Sequence, residues 1–412
     1  MKVFRSAIQS IRQNRLRSVL AGFGIAWGIF LLIVFLGVGG GFREGVMKLF
    51  NSFAQKSLFV YGGQTSIASD KLNEGTQILF DKDIVEKVCK RYGSVISCSV
   101  EMSSPSLDLS WNGETMTAPI TGVDADYFDI RIIKIKAGRG INKMDITKAR
   151  NVAVIGEGVK QSLFGDCDPI NRMANIGGNL YHIVGILSSE DLFSLQDRNS
   201  IYVPSSSFMN NFNVEGKVSS FCMSLSQDAD ASEIEKDIKG YLAYQYGFDP
   251  HDEQGVFISN IETQTSSFES LFHGLEVLIW IVGLCLLLSG IVGVSNVMLI
   301  IVKERTSEIG IRKAVGSTSG EIISMIMAES LTITFIAGLI GIVLGSLVVM
   351  LVNNVVLPML DTDIMDSLQI NFPVIVAAFV VLCLSGVAAG IFPALKASQI
   401  NPVDAIRYEN RG

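Results

Sequence analysis

Four stretches of this chain run for about two dozen residues each without an Asp, Glu, Lys or Arg, and they constrain the fold more than anything else in it. They are Ser18 to Phe42, Val277 to Val302, Ser330 to Val352 and Phe372 to Leu395. Crossing ~30 Å of hydrocarbon at ~1.5 Å per residue takes about 20 apolar residues, in a helix that satisfies its own backbone groups. A buried core helix can imitate one such run. Four in 412 residues, 49% of which are drawn from AVILMFWYC, with mean hydropathy +0.40, specify a polytopic membrane protein.

Basic residues orient it. Lys2, Arg5, Arg12, Arg15 and Arg17 precede the first span; Lys303, Arg305, Arg312 and Lys313 lie between the second and third; Lys396, Arg407 and Arg411 follow the fourth. The third-to-fourth connection holds Asp361, Asp363 and Asp366 and no base. Excess positive charge marks the cytoplasmic side, so both termini are expected there. Residues 1–17 read as a cytoplasmic amphipathic helix, with Phe4, Ala7, Ile8 and Ile11 on one face, leading into a retained span rather than a removed signal. The expected order continues with 18–42 as the first span, 43–276 as an extracytoplasmic domain and 277–302 as the second span. Then come 303–328 as a cytoplasmic coupling segment, 329–352 as the third span, 353–371 as a short outer loop, 372–395 as the fourth span and 396–412 as a cytoplasmic tail.

The segment 43–276 carries 21 Lys and Arg against 31 Asp and Glu. This acidic balance excludes nucleic acid as a partner, because phosphate binding needs a basic footprint. Phe42, Val46, Leu49, Phe50 and Phe53 share a helical face, so the first helix is expected to continue past the bilayer as a stalk, and "SSFESLFHGLEVLIW" does the same ahead of the second span. Between the stalks, short apolar runs such as "SLFVYGG", "TAPITGV", "NVAVIG", "YHIVGIL", "NSIYVP" and "SSFCMSL" alternate with the helical patterns "DKDIVEKVCKRYG" and "DASEIEKDIKGYLAYQYG". The fold class is therefore an α+β membrane protein: four transmembrane helices with a large mixed α+β domain between the first two.

Catalytic chemistry finds no constellation. His182, His251 and His273 are scattered, and no HExxH, CxxC, GxSxG or GxxxxGK[ST] occurs. Asp124, Asp126 and Asp129 lack the Gly and terminal Glu of a calcium loop, so they read as a solvated turn. Cys89, Cys98, Cys167 and Cys222 lie in the outer domain, where disulfides could form, but spacing favours none of their three connectivities and they read rather as small buried hydrophobes. No metal site is expected.

The densest charge lies in "VKERTSEIGIRKAVGSTSGE", Val302 to Glu321. As a helix from about Lys303 to Val315 it lines up Glu304, Glu308 and Arg312 at i, i+4, i+8 and groups Ile311, Ala314 and Val315 in an apolar patch. A Glu308–Arg312 pair is worth only ~0.3–0.5 kcal/mol, too little to account for the segment, so a docking surface fits better. Gly316 ends this helix, and Thr318 with Glu321 forms a capping box for the next.

The run "ERTSEIGIRKAVG" resembles, almost letter for letter, the signature of the MacB/FtsX-like permeases, the membrane subunits of a class of ABC transporter. "RQNRLRSVLAGFGIAWGI" resembles the family's start and "GIFPALKASQINPVDAIRYE" its ending, while "ITGVDADYFDIRIIKIKAGR" and "VAVIGEGVKQSLFGDCDPI" resemble its periplasmic domain. In "DPINRM" an Asn, Asn171, stands where the family usually has Gly. The resemblance implies a permease dimer, homo- or heteromeric, over an ABC ATPase subunit that binds ATP and Mg; this chain itself would hold no cofactor and be no enzyme. Carried over, Glu304, Arg305, Glu308, Ile309, Arg312, Lys313, Ala314 and Gly316 form the ATPase-facing element. The spans carry no interior charge, so cargo handled by the outer domain, an antibiotic, peptide or lipoprotein, is the expectation. The alternative is a signalling scaffold that activates a cell-wall hydrolase without transport; a periplasmic adaptor and outer-membrane duct as partners would distinguish export from it. The GxxxG pairs Gly24/Gly28, Gly37/Gly41, Gly341/Gly345 and Gly386/Gly390 allow close helix packing, in a dimer interface or within the chain.

Overall fold

The computed structural model describes residues 15–50, 53–188, 197–212, 216–360, 368 and 372–401. Most of the amphipathic helix expected at 1–17 lies outside the described residues, as do Asp361, Asp363, Asp366, Arg407 and Arg411. The chain divides into two compact units, Met1–Gly45 with Ser270–Gly412, and Val46–Glu269.

The first unit is built on helices whose apolar stretches are long enough to cross a membrane: Gly22–Phe50, Ile261–Glu304, Ser319–Met359 and Ile375–Ser398. The first helix runs unbroken from Arg15 to Phe50 and the second from Ile261 to Glu304, 44 residues. At ~1.5 Å per residue the second is ~66 Å long, about twice the hydrocarbon thickness, which accommodates the stalk-like extensions read from the apolar faces. Glycines set the packing order. Gly24 of the first helix meets Gly290 of the second, Gly341 and Gly345 of the third meet Ala26 and Ile33 of the first, and Gly386 of the fourth meets Thr334 of the third. The first helix thus lies between the second and third, and the third between the first and fourth.

The second unit is a ten-stranded mixed sheet in the order β12-β1-β11-β3-β4-β9-β6-β8-β5, with β7 pairing to β3 and β8. Its strands are β1 Ser57–Gly62, β3 Val95–Trp111, β4 Glu114–Val123, β5 Ile135–Gly138, β6 Val152–Ile155, β7 Met173–Ile176, β8 Asn179–Leu187, β9 Ile201–Pro204, β11 Ser220–Leu225 and β12 Val256–Asn260; β2 Phe80–Asp81 and β10 Lys217–Val218 pair separately. Strand periodicity sends alternate residues to opposite faces. Leu58 and Val60 of β1 therefore enter the larger core, with the helices Lys82–Arg91, Glu157–Phe164, Ser205–Phe212 and Ala231–Tyr246, while Phe59 joins the smaller one around Tyr127, Phe128 and Tyr202. Each apolar run singled out in the sequence is a strand. β3 escaped because it is rich in Ser and contains Pro105, which sits in the irregularity of its pairing with β4 between Ser104 and Leu107.

One expectation is corrected. Cys89 and Cys98 form a disulfide with Cα atoms 6.2 Å apart, because the helix Lys82–Arg91 turns directly into β3 and brings its last turn over that strand. Cys222 is buried, as a small apolar residue should be, and Cys167 is exposed.

Candidate coupling site

The charged segment between the second and third helices is not one helix from Lys303 to Val315. The second helix stops at Glu304, Arg305 takes φ −100° and ψ 17°, and a separate helix spans Thr306–Ala314. The Thr306 hydroxyl donates to the carbonyl oxygens of Val302 (3.2 Å) and Lys303 (2.7 Å), engaging acceptors of the second helix's last turn. The short helix ends as expected, with Gly316 at φ +108°, a conformation costly for any residue with a Cβ. The expected capping box then starts the third helix, Ser319–Leu351: Glu321 N donates to Thr318 Oγ1 at 3.3 Å and Thr318 N to Glu321 Oε2 at 3.2 Å.

Two stripes alternate on the short helix. Arg305, Ile309 and Lys313, spaced i, i+4, i+8, face the bundle. Ile309 is buried in the apolar cluster that holds Ile322, Ile326, Ala394 and Ala397. Arg305 places Nη1 3.4 Å from Glu329 Oε2 and Nε 3.5 Å from Glu308 Oε2. Lys313 Nζ donates to the carbonyl oxygens of Ser398 and, at 3.1 Å, Ile400. The opposite stripe is open: Ile311 is 51% and Val315 84% exposed. Beside them Arg312 donates to Glu308 at 2.7 Å, and Glu304, Ala314 and Gly316 are exposed.

Of the eight residues read as one partner-facing element, three therefore turn inward. Glu329 is the residue that reading missed. The third helix begins ten residues before the span assigned to it, which puts this carboxylate inside the helix, 4% exposed. Its signal was its isolation, a single acid between Glu321 and the end of the helix.

The glycine pairs are largely used within the chain. A Cβ on Gly24 would lie 3.1 Å from Gly290 Cα, on Gly341 2.5 Å from Ala26 O, and on Gly390 2.9 Å from Met327 Sδ. Gly28 abuts Leu286 and Leu287, Gly345 abuts Ile33, and Gly386 abuts Leu331 and Thr334. Gly37 and Gly41 are buried in the first helix.

In the sheet domain several titratable groups are hydrogen-bonded or ion-paired to one another. Asp124, from the acidic turn, accepts from the Ser205 hydroxyl and, at 3.4 Å, from Val100 N. Tyr127 donates to Glu101 at 3.1 Å and accepts from Arg131 at 2.9 Å, and Arg131 pairs with Asp197 at 3.7 Å. Burial pushes the Glu101 carboxyl up, against the pull of Arg131 and the Tyr127 hydroxyl. His182, His251 and His273 lie on separate elements, and among the described residues no cluster of His, Cys, Asp and Glu could hold a metal ion.

The family model for the MacB-like periplasmic core domain matches residues 18–241, and that for the FtsX-like permease C-terminal region matches residues 280–402. The macrolide export ATP-binding/permease protein MacB of Neisseria gonorrhoeae is 27% identical over 412 residues, covering 99% of this chain and 61% of that protein. The MacB of Mannheimia succiniciproducens is 26% identical over 409 residues, with the same coverage. The chain thus spans about three-fifths of the length of the curated relatives it matches. Among solved structures, the periplasmic region of MacB from Actinobacillus actinomycetemcomitans aligns with 53% of this chain and 95% of its own, at TM-score 0.44 and 20% identity.

Proposed function

This chain belongs to the family of MacB/FtsX-like permeases, and we propose that it is the membrane subunit of an ABC transporter in which a separate subunit binds ATP with Mg and hydrolyses the ATP. It is a multi-pass membrane protein with a MacB-like domain between its first two apolar helices. In this reading both termini and the helix Thr306–Ala314 are cytoplasmic, two permease copies assemble over the ATPase, and ATP-driven motion reaches the sheet domain to expel cargo. The names of the curated relatives make a macrolide one candidate cargo, beside a peptide or a lipoprotein.

One observation carries the proposal. The short helix buries one stripe in its own bundle and leaves Ile311 and Val315 exposed beside the Glu308–Arg312 pair. Large apolar side chains left uncovered next to charges, on a helix otherwise anchored, are the composition of a protein-docking surface. The test is capture of an ATPase by the full-length chain purified from membranes. The double reversal Glu308→Arg with Arg312→Glu keeps an i,i+4 attraction inside the helix while inverting the charge shown to a partner. It should abolish capture and leave membrane insertion intact; unchanged capture would make the docking assignment wrong. An adaptor and outer-membrane duct bound by the sheet domain support export, whereas a bound cell-wall hydrolase would replace export with signalling.

A further inference from the structure

We propose that Arg305 and Lys313 are positioning residues that fasten the two ends of the coupling helix to the third and fourth apolar helices, so that displacement of this helix is delivered to that pair. The proposal rests on the docking reading for what displaces the helix, and on geometry alone for the fastening.

At the leading end, Arg305 reaches into the bundle. Its guanidinium lies 3.4 Å from Glu329, whose side chain is only 5% exposed. A carboxylate withdrawn this far from water and left without a cation is strongly destabilised, so Arg305 cannot swing out without stranding Glu329. The same guanidinium holds Glu308 at 3.5 Å, one turn along the coupling helix, and thereby ties that helix to the third.

At the trailing end, the Lys313 ammonium sits against the end of the fourth helix, Phe372–Ser398. Helix C-termini leave carbonyl oxygens without intrahelical donors and carry partial negative charge. Lys313 donates to one such oxygen, that of Ser398, and at 3.1 Å to the carbonyl oxygen of Ile400 just past the helix. Midway between the fasteners, Ile309 is 2% exposed in the apolar cluster to which all four long helices contribute, Ile322 and Ile326 of the third and Ala394 and Ala397 of the fourth among them.

The two anchoring helices are themselves closely joined. A Cβ on Gly386 would lie 3.0 Å from Leu331 and one on Gly390 3.0 Å from Ser330, and the Ser330 hydroxyl donates to Gly386 O at 3.2 Å. Toward the second helix the backbone leaves helical torsions at Arg305, and the Thr306 hydroxyl bonds back to the carbonyl oxygens of Val302 and Lys303. Beyond its Thr306 link to the second helix, the coupling helix is thus joined at its leading end to the third helix through Arg305 and at its trailing end to the fourth through Lys313.

The test uses the full chain in lipid nanodiscs, spin-labelled at Ser307→Cys on the coupling helix and Ser324→Cys on the third helix, neither of them in the fastening stripe nor among the exposed Ile311 and Val315. Background cysteines Cys167, Cys285 and Cys383 are replaced by Ser. The chain with both fasteners should give one narrow distance that ATP and the captured ATPase leave unchanged. Lys313→Met, or the neutral pair Arg305→Gln with Glu329→Gln, should lose the narrow distance and let ATP shift it, while Lys313→Arg, which keeps a cationic donor, should restore it. The neutral pair avoids stranding a buried charge, so it remains informative if Arg305→Gln alone does not fold. A narrow distance retained in Lys313→Met and in the neutral pair overturns the proposal. Failure to capture any ATPase counts against the docking reading only, because the distance width in the chain alone still decides the fastening.

Discussion

Replacing Gly290 by Ala should separate two helices that now touch through their backbones. A Cβ at Gly290 would lie 2.8 Å from both the backbone nitrogen and Cγ1 of Ile25, and 3.0 Å from the carbonyl carbon of Gly24. Favourable contacts begin near ~3.5 Å, so the first and second helices must part by about half an ångström or more along a contact made of main chain, which cannot rotate away. Overpacking of this kind costs ~1–3 kcal/mol. Ala in a helix interior recovers ~0.5–1 kcal/mol of the entropy that Gly loses, leaving a net loss of about 0.5–2 kcal/mol. Gly293, on the same helix, has nothing within 4 Å of a Cβ, so Gly293→Ala keeps the gain and suffers no clash. The two variants should differ by about 2 kcal/mol, a factor of about 30 in the folding equilibrium. Unfolding of the purified full chain in mixed micelles, followed by helical circular dichroism against denaturing-detergent fraction, measures that gap. Equal stabilities for the two variants, or the reverse order, would refute the assignment of Gly290 to a backbone contact inside the chain.

Two further outcomes follow from the sheet domain. Asn171 adopts φ +65°, a left-handed conformation that Gly takes freely and Asn tolerates, so Asn171→Gly should be neutral or mildly stabilising and Asn171→Val should cost ~1–2 kcal/mol in thermal unfolding; equal effects would place the strain elsewhere. Asp145 and Asp252 are buried, and burial alone would raise their carboxyls; donors outweigh it, from Arg139, Asn142 N and Arg150 for Asp145, and from Ser66, Gly255 N and Ile67 N for Asp252, which is held down at about 2. Carboxyls depressed in the folded state contribute stability that is complete above the ordinary carboxylate range and lost as pH falls toward about 2. The melting temperature should therefore fall across that acid window, and Asp252→Asn should flatten the fall; an unchanged slope would show that other groups carry it.

Local signals in the sequence were read correctly where their cause is local. The long apolar runs specify helices, the Thr318–Glu321 box caps the third helix, Gly316 ends the helix Thr306–Ala314, and short apolar runs mark β1, β4, β6, β8, β9 and β11. Readings failed where a residue's meaning depends on a distant one. Arg305 and Lys313 look like surface charges in a row of charges, because their partners stand 24, 85 and 87 residues away. The GxxxG spacing announced close approach without naming what approaches, and it passed over Gly290 and Gly338, which lack a glycine four residues away yet pack against Ile25 and Leu382. The Cys89–Cys98 bond depends on a turn between helix and strand that neither cysteine encodes. Asn171 needed both levels, since a departure from the family pattern became intelligible only with its φ.

The position of β1 has a consequence for how the protein is made. Ser57 pairs with Ser224 and Leu58 with Asn260, so this early strand lies between two that are synthesised far later. The nascent chain must hold an apolar strand with both hydrogen-bonding edges open until almost the whole domain has emerged. Such delay favours mispairing and aggregation. Completion of the sheet then coincides with the emergence of the second apolar helix, which begins directly after β12 at Ile261. Insertion of that helix and closure of the sheet around β1 become neighbouring steps of a single biosynthetic event.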